Sequence, residues 1–318
     1  MKKIIIGSTV TNRYNIHSIV LEGWNKLFTN IIETKNIEIT WIINIDIINI
    51  FDKEYNYEKI KEYYTNLINK KINLIFIEKN NNPSLLNACK NIFYKMNEIT
   101  QNEENNNTII CWLEDDWKLK EELINDTFIN ILINLNMNSK WYINLTCKDN
   151  SYMSILAPCF MSYTFWFNHW FKVFNLKKQN CICGKKFNKK IYYLNHLNNC
   201  DTNKLCPERL LSNYFNSIEI NKTIINYIYS IENKIDYINK GKYEKINLNE
   251  FKIKIKKEKN ININNKENLI NLVSTDNEFF IRIIPNLCYD IGIDERNKNN
   301  INKIFYKENR TIMFKYEI

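Results

Sequence analysis

The sequence predicts an α/β protein with a mostly parallel central sheet, and three observations predict it. Short apolar runs of strand length recur through residues 1–145. Between them lie longer stretches whose apolar residues return every three or four positions, the helical period. Several of the runs end in an acidic residue, which places polar groups at one edge of the sheet. Strands alternating with helices in this way imply parallel pairing through right-handed crossovers.

The elements follow in order. Lys2–Ile6 is the first strand, closed by Gly7, and Ser8–Arg13 is a polar loop at its carboxyl end. A helical pattern runs through Ile19, Trp24, Leu27, Phe28 and Ile31. Ile37–Ile45 is the second strand and ends at Asp46. Tyr55–Ile68 repeats the helical spacing through Ile60, Tyr64 and Leu67, and Asn73–Ile77 is the third strand. Asn82-Pro83 opens a third helix, because Asn can cap and Pro is tolerated at the first helical position. Its apolar face is Leu85, Cys89, Ile92, Phe93 and Met96. The fourth strand, Ile109–Leu113, leads into a helix over 118–135 and then a strand at Trp141–Leu145.

Beyond this point the pattern changes. Met153–Phe174 is crowded with rings, among them Phe160, Phe165, Trp166 and Trp170. Most are expected as core under a long loop, with one or two available to stack on a sugar or base. Ile224–Ile231 has helical spacing, Phe251–Lys257 alternates like a strand, and Glu258–Glu267 reads as an exposed loop. Glu278–Ile284 is a further strand closed by Pro285, Tyr289–Gly292 a turn, and Thr311–Tyr316 a last edge strand. The chain thus divides into an α/β core over 1–175, an insertion over 176–206 and an α+β completion over 207–318.

With 45% hydrophobic residues among 318, the chain can bury a sizeable core. Its net charge of +9 suits an anionic partner, whether nucleotide, nucleic acid or acidic surface. The apolar run at the start is too short for a signal peptide, and no stretch is long and apolar enough to span a membrane. A reducing, cytoplasmic setting is expected. Cys89, Cys111, Cys147, Cys159 and Cys288 stand among apolar residues, as packed thiols do.

The stretch richest in chemistry is Cys111–Lys118, C-W-L-E-D-D-W-K. Three adjacent carboxylates, Glu114, Asp115 and Asp116, close a buried strand. They repel one another unless a cation or hydrogen-bond donors sit among them. Hard divalent cations favour such oxygens, often with substrate phosphates completing the shell. The competing reading is a solvated acidic turn at a helix N-terminus. The buried strand and the flanking Trp112 and Trp117 favour a site.

A second cluster lies in the insertion. Cys181 and Cys183 are followed by His196 and then Cys200, a spacing that suits tetrahedral Zn²⁺ in a structural role. With Phe187 and Tyr193 in its apolar slots, the stretch resembles a ββα zinc finger over about 20 residues. It departs from that family in its C-x-C pair and its final Cys, and Cys206 competes as fourth ligand.

Taken together, the chain resembles the GT-A type glycosyltransferases, nucleotide-sugar-dependent enzymes with a Rossmann-like sheet. Glu114-Asp115-Asp116 stands where that family's D-x-D motif ends its fourth strand. The resemblance implies a nucleotide-sugar-binding core over 1–175 and acceptor-side completion over 207–318. It implies that Asp116 holds Mn²⁺ or Mg²⁺ and serves catalysis, with Glu114 at the ribose or a metal-bound water, Asp115 beside the donor, and Asp290 as a third metal or diphosphate contact. Thr9, Thr11 and Arg13 would cradle the nucleoside, Asp46 would meet the base, and Ser84 and Asn87 would lie against the nucleotide. Glu208 is the implied base if the reaction inverts configuration, with a first-turn helix acid as its other reading. The donor implied is a nucleoside diphosphate sugar, a UDP-sugar first of all, and the acceptor is a glycan, protein or nucleic acid. Two alternatives stand beside this: a zinc-finger nucleic-acid-binding protein, and a glycosyltransferase acting on modified DNA bases. A metal-dependent nucleotidyltransferase is a third.

Overall fold

The computed structural model describes residues 2–48, 54–78, 84–101, 107–120, 126–146, 156–175, 207, 211, 222–228, 234–239, 242–247, 259–273, 278–284 and 287–291. The zinc-ligand candidates Cys181, Cys183, His196 and Cys200, the candidate base Glu208, Cys147, and the expected strands at Phe251–Lys257 and Thr311–Tyr316 lie outside them.

The first half follows the predicted alternation. Strand β1 (Lys3–Thr11) leads through helix α1 (Tyr14–Lys35) to β2 (Glu38–Asp46). Then come α2 (Tyr57–Leu67), β3 (Asn73–Phe76), α3 (Leu85–Thr100) and β4 (Thr108–Glu114). Each boundary has a local cause. Asn36 ends α1 in the left-handed conformation that Asn tolerates better than most residues. The Asn56 side chain caps α2 by accepting from the Lys59 amide, 3.1 Å. Ser84, rather than Asn82, caps α3 by accepting from the Asn87 amide, 3.1 Å. Ile19, placed on the apolar face of α1 by spacing, is exposed; Ile16, Val20 and Leu21 fill that face instead. Leu86 likewise replaces Leu85 as the buried residue of the first turn of α3.

The second half departs further from the sequence reading. The predicted helix over 118–135 is divided: Trp117–Leu119 is a short strand, β5, and the helix α4 covers only Asp126–Asn134. After β6 (Lys140–Asn144) comes β7 (Cys159–Ser162), where a long loop was expected. The aromatic segment is then a helix, α5. It starts at Tyr163–Phe165, widens to π geometry at Trp166–Phe171 and returns to α at Lys172–Asn175. Of the stretch expected as a helix at Ile224–Ile231, the described part is strand instead, since Lys222–Ile228 forms β8. The strands β9 (Lys234–Asn239) and β10 (Lys242–Asn247) pair with each other as a hairpin. The expected loop at Glu258–Glu267 holds β11 (Lys259–Ile263) and the start of helix α6 (Lys266–Leu272). The strand β12 (Glu278–Ile284) is as predicted, and the supposed turn at Tyr289 is part of β13 (Cys288–Asp290).

Nine strands form one sheet in the order β11-β8-β12-β6-β7-β4-β1-β2-β3. All neighbours are parallel except β7, which runs antiparallel to both β4 and β6. The mostly parallel α/β sheet of the sequence reading is therefore present. From β1 the chain steps outward to β2 and β3, then returns to lay β4 on the other side of β1. That reversal falls between the carboxyl ends of β1 and β4, the usual ligand position in open α/β sheets.

Side-chain alternation sends each strand's residues to two apolar layers. Ile4, Ile6, Trp41, Ile43, Ile109, Cys111, Trp141 and Ile143 pack with α1, α2, α4 and α6. Ile5, Ile42, Ile110, Trp112 and Tyr142 pack on the opposite face with α3 and α5. Gly7 lets α3 lie close on β1, since a Cβ there would meet Ile92 Cγ2 and Met96 Cε at 2.5 Å. Phe160, Phe165, Trp166 and Trp170 are fully buried in these layers, as core rings rather than cleft rings. Cys89, Cys111, Cys159 and Cys288 are buried thiols outside any disulfide, as expected. Among the described residues no helix is long and apolar enough to cross a membrane.

Candidate active site at the carboxyl edge of the sheet

The parallel register brings the predicted residues together. Thr9 of β1 lies opposite Glu114 of β4, and Thr11 lies opposite Asp46 of β2. Asp115 and Asp116 follow Glu114 directly, so both sit at the carboxyl end of β4, beside that of β1.

Asp115 is the hub. One of its oxygens, Oδ2, accepts from the Thr11 amide at 2.7 Å and the Thr11 hydroxyl at 2.8 Å. The same oxygen lies 3.4 Å from His17 Nε2, whose Nδ1 is 3.1 Å from the Tyr55 hydroxyl. The other, Oδ1, accepts from Arg13 Nη2. Arg13 Nε donates to Thr11 Oγ1 at 2.9 Å, and Nη1 donates to Asp116 Oδ2 at 3.2 Å. One guanidinium thus lies across two adjacent carboxylates and satisfies the repulsion that their sequence implied.

The electrostatics follow from burial and pairing. Burial alone would push the Asp115 carboxyl up. Arg13, the hydrogen bond from His17 and the Thr11 amide outweigh it and hold the group well below the usual carboxylate range. Burial likewise disfavours the Arg13 charge, but Asp115 and Asp116 overcome it and raise Arg13 further. The sign of the pH dependence is therefore fixed. A carboxyl depressed in the folded state adds stability that is complete above its unfolded value of about 3.9 and fades as pH falls below it. The stability gap between wild type and Asp115→Asn is expected to narrow as urea midpoints are compared from about pH 6 down to about pH 3. A gap that stays constant would show that Asp115 is not held as a charged partner.

Glu114 Oε2 accepts from Trp117 Nε1 at 3.1 Å, and the Trp117 carbonyl accepts from Trp24 Nε1 at 2.9 Å. This double use of Trp117 fixes the turn between β4 and β5. The β5 strand pairs antiparallel with β13, with Trp117 opposite Asp290, and the Ile291 amide donates to the Asp116 carbonyl at 2.9 Å. The backbone of Asp290 is therefore carried to the acidic turn, from a distant part of the chain. Asp46 is buried at the end of β2 and accepts from Asn44 Nδ2 at 3.0 Å. Ser84 and Asn87 make the α3 cap, which follows β3 at the same edge of the sheet. Thr9 is buried within β1.

Three contributors escaped the sequence reading. His17 and Tyr55 complete the hydrogen-bond chain behind Asp115, and the fully buried Asn12 accepts from the Ile48 amide at 2.8 Å, tying the β1 loop to that after β2. The signal for His17 was available: it stands four residues after Arg13, one helical turn along α1.

Among the described residues no group of three or more His, Cys, Asp or Glu side chains is arranged as a ready metal cage. The donor set nonetheless suits a hard cation that draws the rest of its shell from phosphate. Asp116 is the more accessible of the paired aspartates, with 16% of its side chain exposed against 4% for Asp115. The Arg13 guanidinium beside it is a cation already accommodated by these oxygens. Glu114 and Asp116 are the residues that could hold the metal; Asp115 is committed to the protein. No family model and no curated protein matches the chain.

Proposed function

We propose that this chain is a metal-dependent glycosyltransferase of the GT-A type. It would move a sugar from a nucleoside diphosphate sugar, a UDP-sugar first of all, to an acceptor hydroxyl. The observation that carries this reading is the acidic end of β4, set with Arg13 at the point where the strand order reverses. Bound there, Mn²⁺ or Mg²⁺ would supply neutralisation of charge on the departing diphosphate. Asp116, with Glu114, would hold it, and Asp290 would join them from β13. Thr9, Thr11 and Asp46 line the ends of β1 and β2, where a nucleoside would lie, and the α3 cap at Ser84 and Asn87 borders the same edge. Asp115 would keep Arg13 and the β1 loop in place. Glu208 remains the proposed acceptor base, and the cysteine-rich insertion a structural zinc staple.

A thermal-shift titration tests the reading. UDP and Mn²⁺ together are expected to raise the melting temperature more than either alone. Ligand at about 100 times Kd stabilises by about 2.7 kcal/mol, or several degrees for a chain of this size. Asp116→Ala should abolish the joint shift while leaving the fold intact. An undiminished shift in that variant would remove the metal site from β4. Steeply salt-dependent binding of DNA, without any response to nucleotide, would favour the zinc-finger reading instead.

A further inference from the structure

We propose that Tyr55 and His17 are positioning residues of the acidic turn: the Tyr55 hydroxyl donates to His17 Nδ1, which leaves the ring proton on Nε2, and that proton holds Asp115 to the protein. The inference rests on the glycosyltransferase reading for what the turn binds. It adds two residues that act on the site through Asp115.

The direction of the chain follows from what each group can offer. Asp115 is held as a carboxylate, and a carboxylate only accepts. His17 Nε2, 3.4 Å from Asp115 Oδ2, must therefore carry a proton to be its partner. A neutral imidazole has one ring proton, so Nδ1 keeps its lone pair and needs a donor. The Tyr55 hydroxyl stands 3.1 Å from it. His17 is fully buried, so bulk water does not supply that donor. The setting of the ring is fixed as well. Tyr55 lies tilted against it at 5.5 Å, and Tyr64 meets it edge-on at 5.6 Å.

Asp115 is thereby engaged at both oxygens. Its Oδ2 takes the Thr11 amide, the Thr11 hydroxyl and His17, and its Oδ1 takes Arg13. These donors come from the end of β1, the residue before α1 and the first turn of α1. Glu114 and Asp116 are the carboxylates left to meet a cation. Tyr55, just before α2, acts on the turn through the imidazole and is a positioning residue in that sense.

Nitrogen-15 NMR of the full chain with labelled histidine tests the wiring. The chain has three histidines, so replacing His17 assigns its signals. At neutral pH, wild-type His17 is expected as a neutral ring with Nε2 protonated and Nδ1 accepting a hydrogen bond. Tyr55→Phe keeps the ring and removes only the hydroxyl, so the Nδ1 signal should move to that of a nitrogen without a donor. Mn²⁺ titration followed by electron paramagnetic resonance reads the consequence. Tyr55→Phe and His17→Leu should each weaken Mn²⁺ binding about tenfold, the lower end of what losing an outer partner costs a metal site. His17→Gln, whose amide can both donate to Asp115 and accept from Tyr55, should stay within about threefold of wild type. A wild-type proton on Nδ1, or on both nitrogens, overturns the assignment, as does an unmoved Nδ1 signal in Tyr55→Phe. Residues that merely support the fold would lower the melting temperature and leave Mn²⁺ affinity alone. That result refutes the positioning role while the glycosyltransferase reading survives. A wild type with the expected ring proton that binds no Mn²⁺ removes the metal-dependent reading and upholds the wiring of the turn.

Discussion

Arg13→Ala is expected to cost about 3–5 kcal/mol of folding stability, the penalty for leaving a buried charge without its partner. The size follows from where Asp115 sits. Only 4% of its side chain is exposed, and its Oδ1 accepts from the guanidinium. Removing Arg13 also takes away the donor to Thr11 Oγ1 and leaves Asp115 and Asp116 to repel each other. Adding Asp115→Asn to the same chain should recover a large part of the loss, because the uncompensated charge goes with it. Urea unfolding of the two single variants and the double measures the coupling directly. Losses that simply add would mean the pair is not the electrostatic unit described above.

The second large effect is expected in the aromatic layer beneath α3 and α5. Trp170 is fully buried, with ring centroids of Trp112 and Tyr142 both at 6.2 Å and of Phe93 at 6.1 Å. Trp170→Ala should cost about 3–5 kcal/mol, as truncations of buried aromatics do. The more discriminating comparison is with Phe. The Trp170 indole N–H is buried and finds no hydrogen-bond acceptor among the described residues, whereas Trp41 Nε1 donates to Ser8 Oγ at 2.8 Å. Trp41→Phe should therefore be worse than Trp170→Phe by about 1 kcal/mol, the net worth of the bond plus the stranded hydroxyl. Equal losses would mean that the indole donor of Trp170 is satisfied in solution.

What could be read from sequence divides at residue 116. The strands β1 to β4 and helices α1 to α3 were legible from their apolar runs and helical spacing, although β1 runs on to Thr11 through the stretch read as a polar loop. Strand β5 was misread although W-K-L-K alternates: Trp117 and Leu119 are buried and Lys118 is not. Acids before a polar stretch argued for a helix start, and the competing pairing with β13 comes from a part of the chain that no local window contains. Strand β8 was misread for another reason. In T-I-I-N-Y-I the apolar residues satisfy a period of two about as poorly as one of 3.6, so local pattern could not decide between them. The location of the acidic site was legible from its position at a strand end. Its wiring was not, because Arg13 and Asp115 are neighbours only through the pairing of β1 with β4. His17 and Tyr55 were overlooked for the same reason.

The ribbon formed by β5 and β13 has a consequence for assembly. It fastens the turn after β4 to a segment made only when most of the chain has left the ribosome. The early α/β alternation, rich in near-neighbour contacts, can condense during synthesis, whereas this clasp must wait for its far partner and bear the cost of a long closure. The acidic turn at the end of β4 should therefore settle into place last, well after the scaffold that carries it.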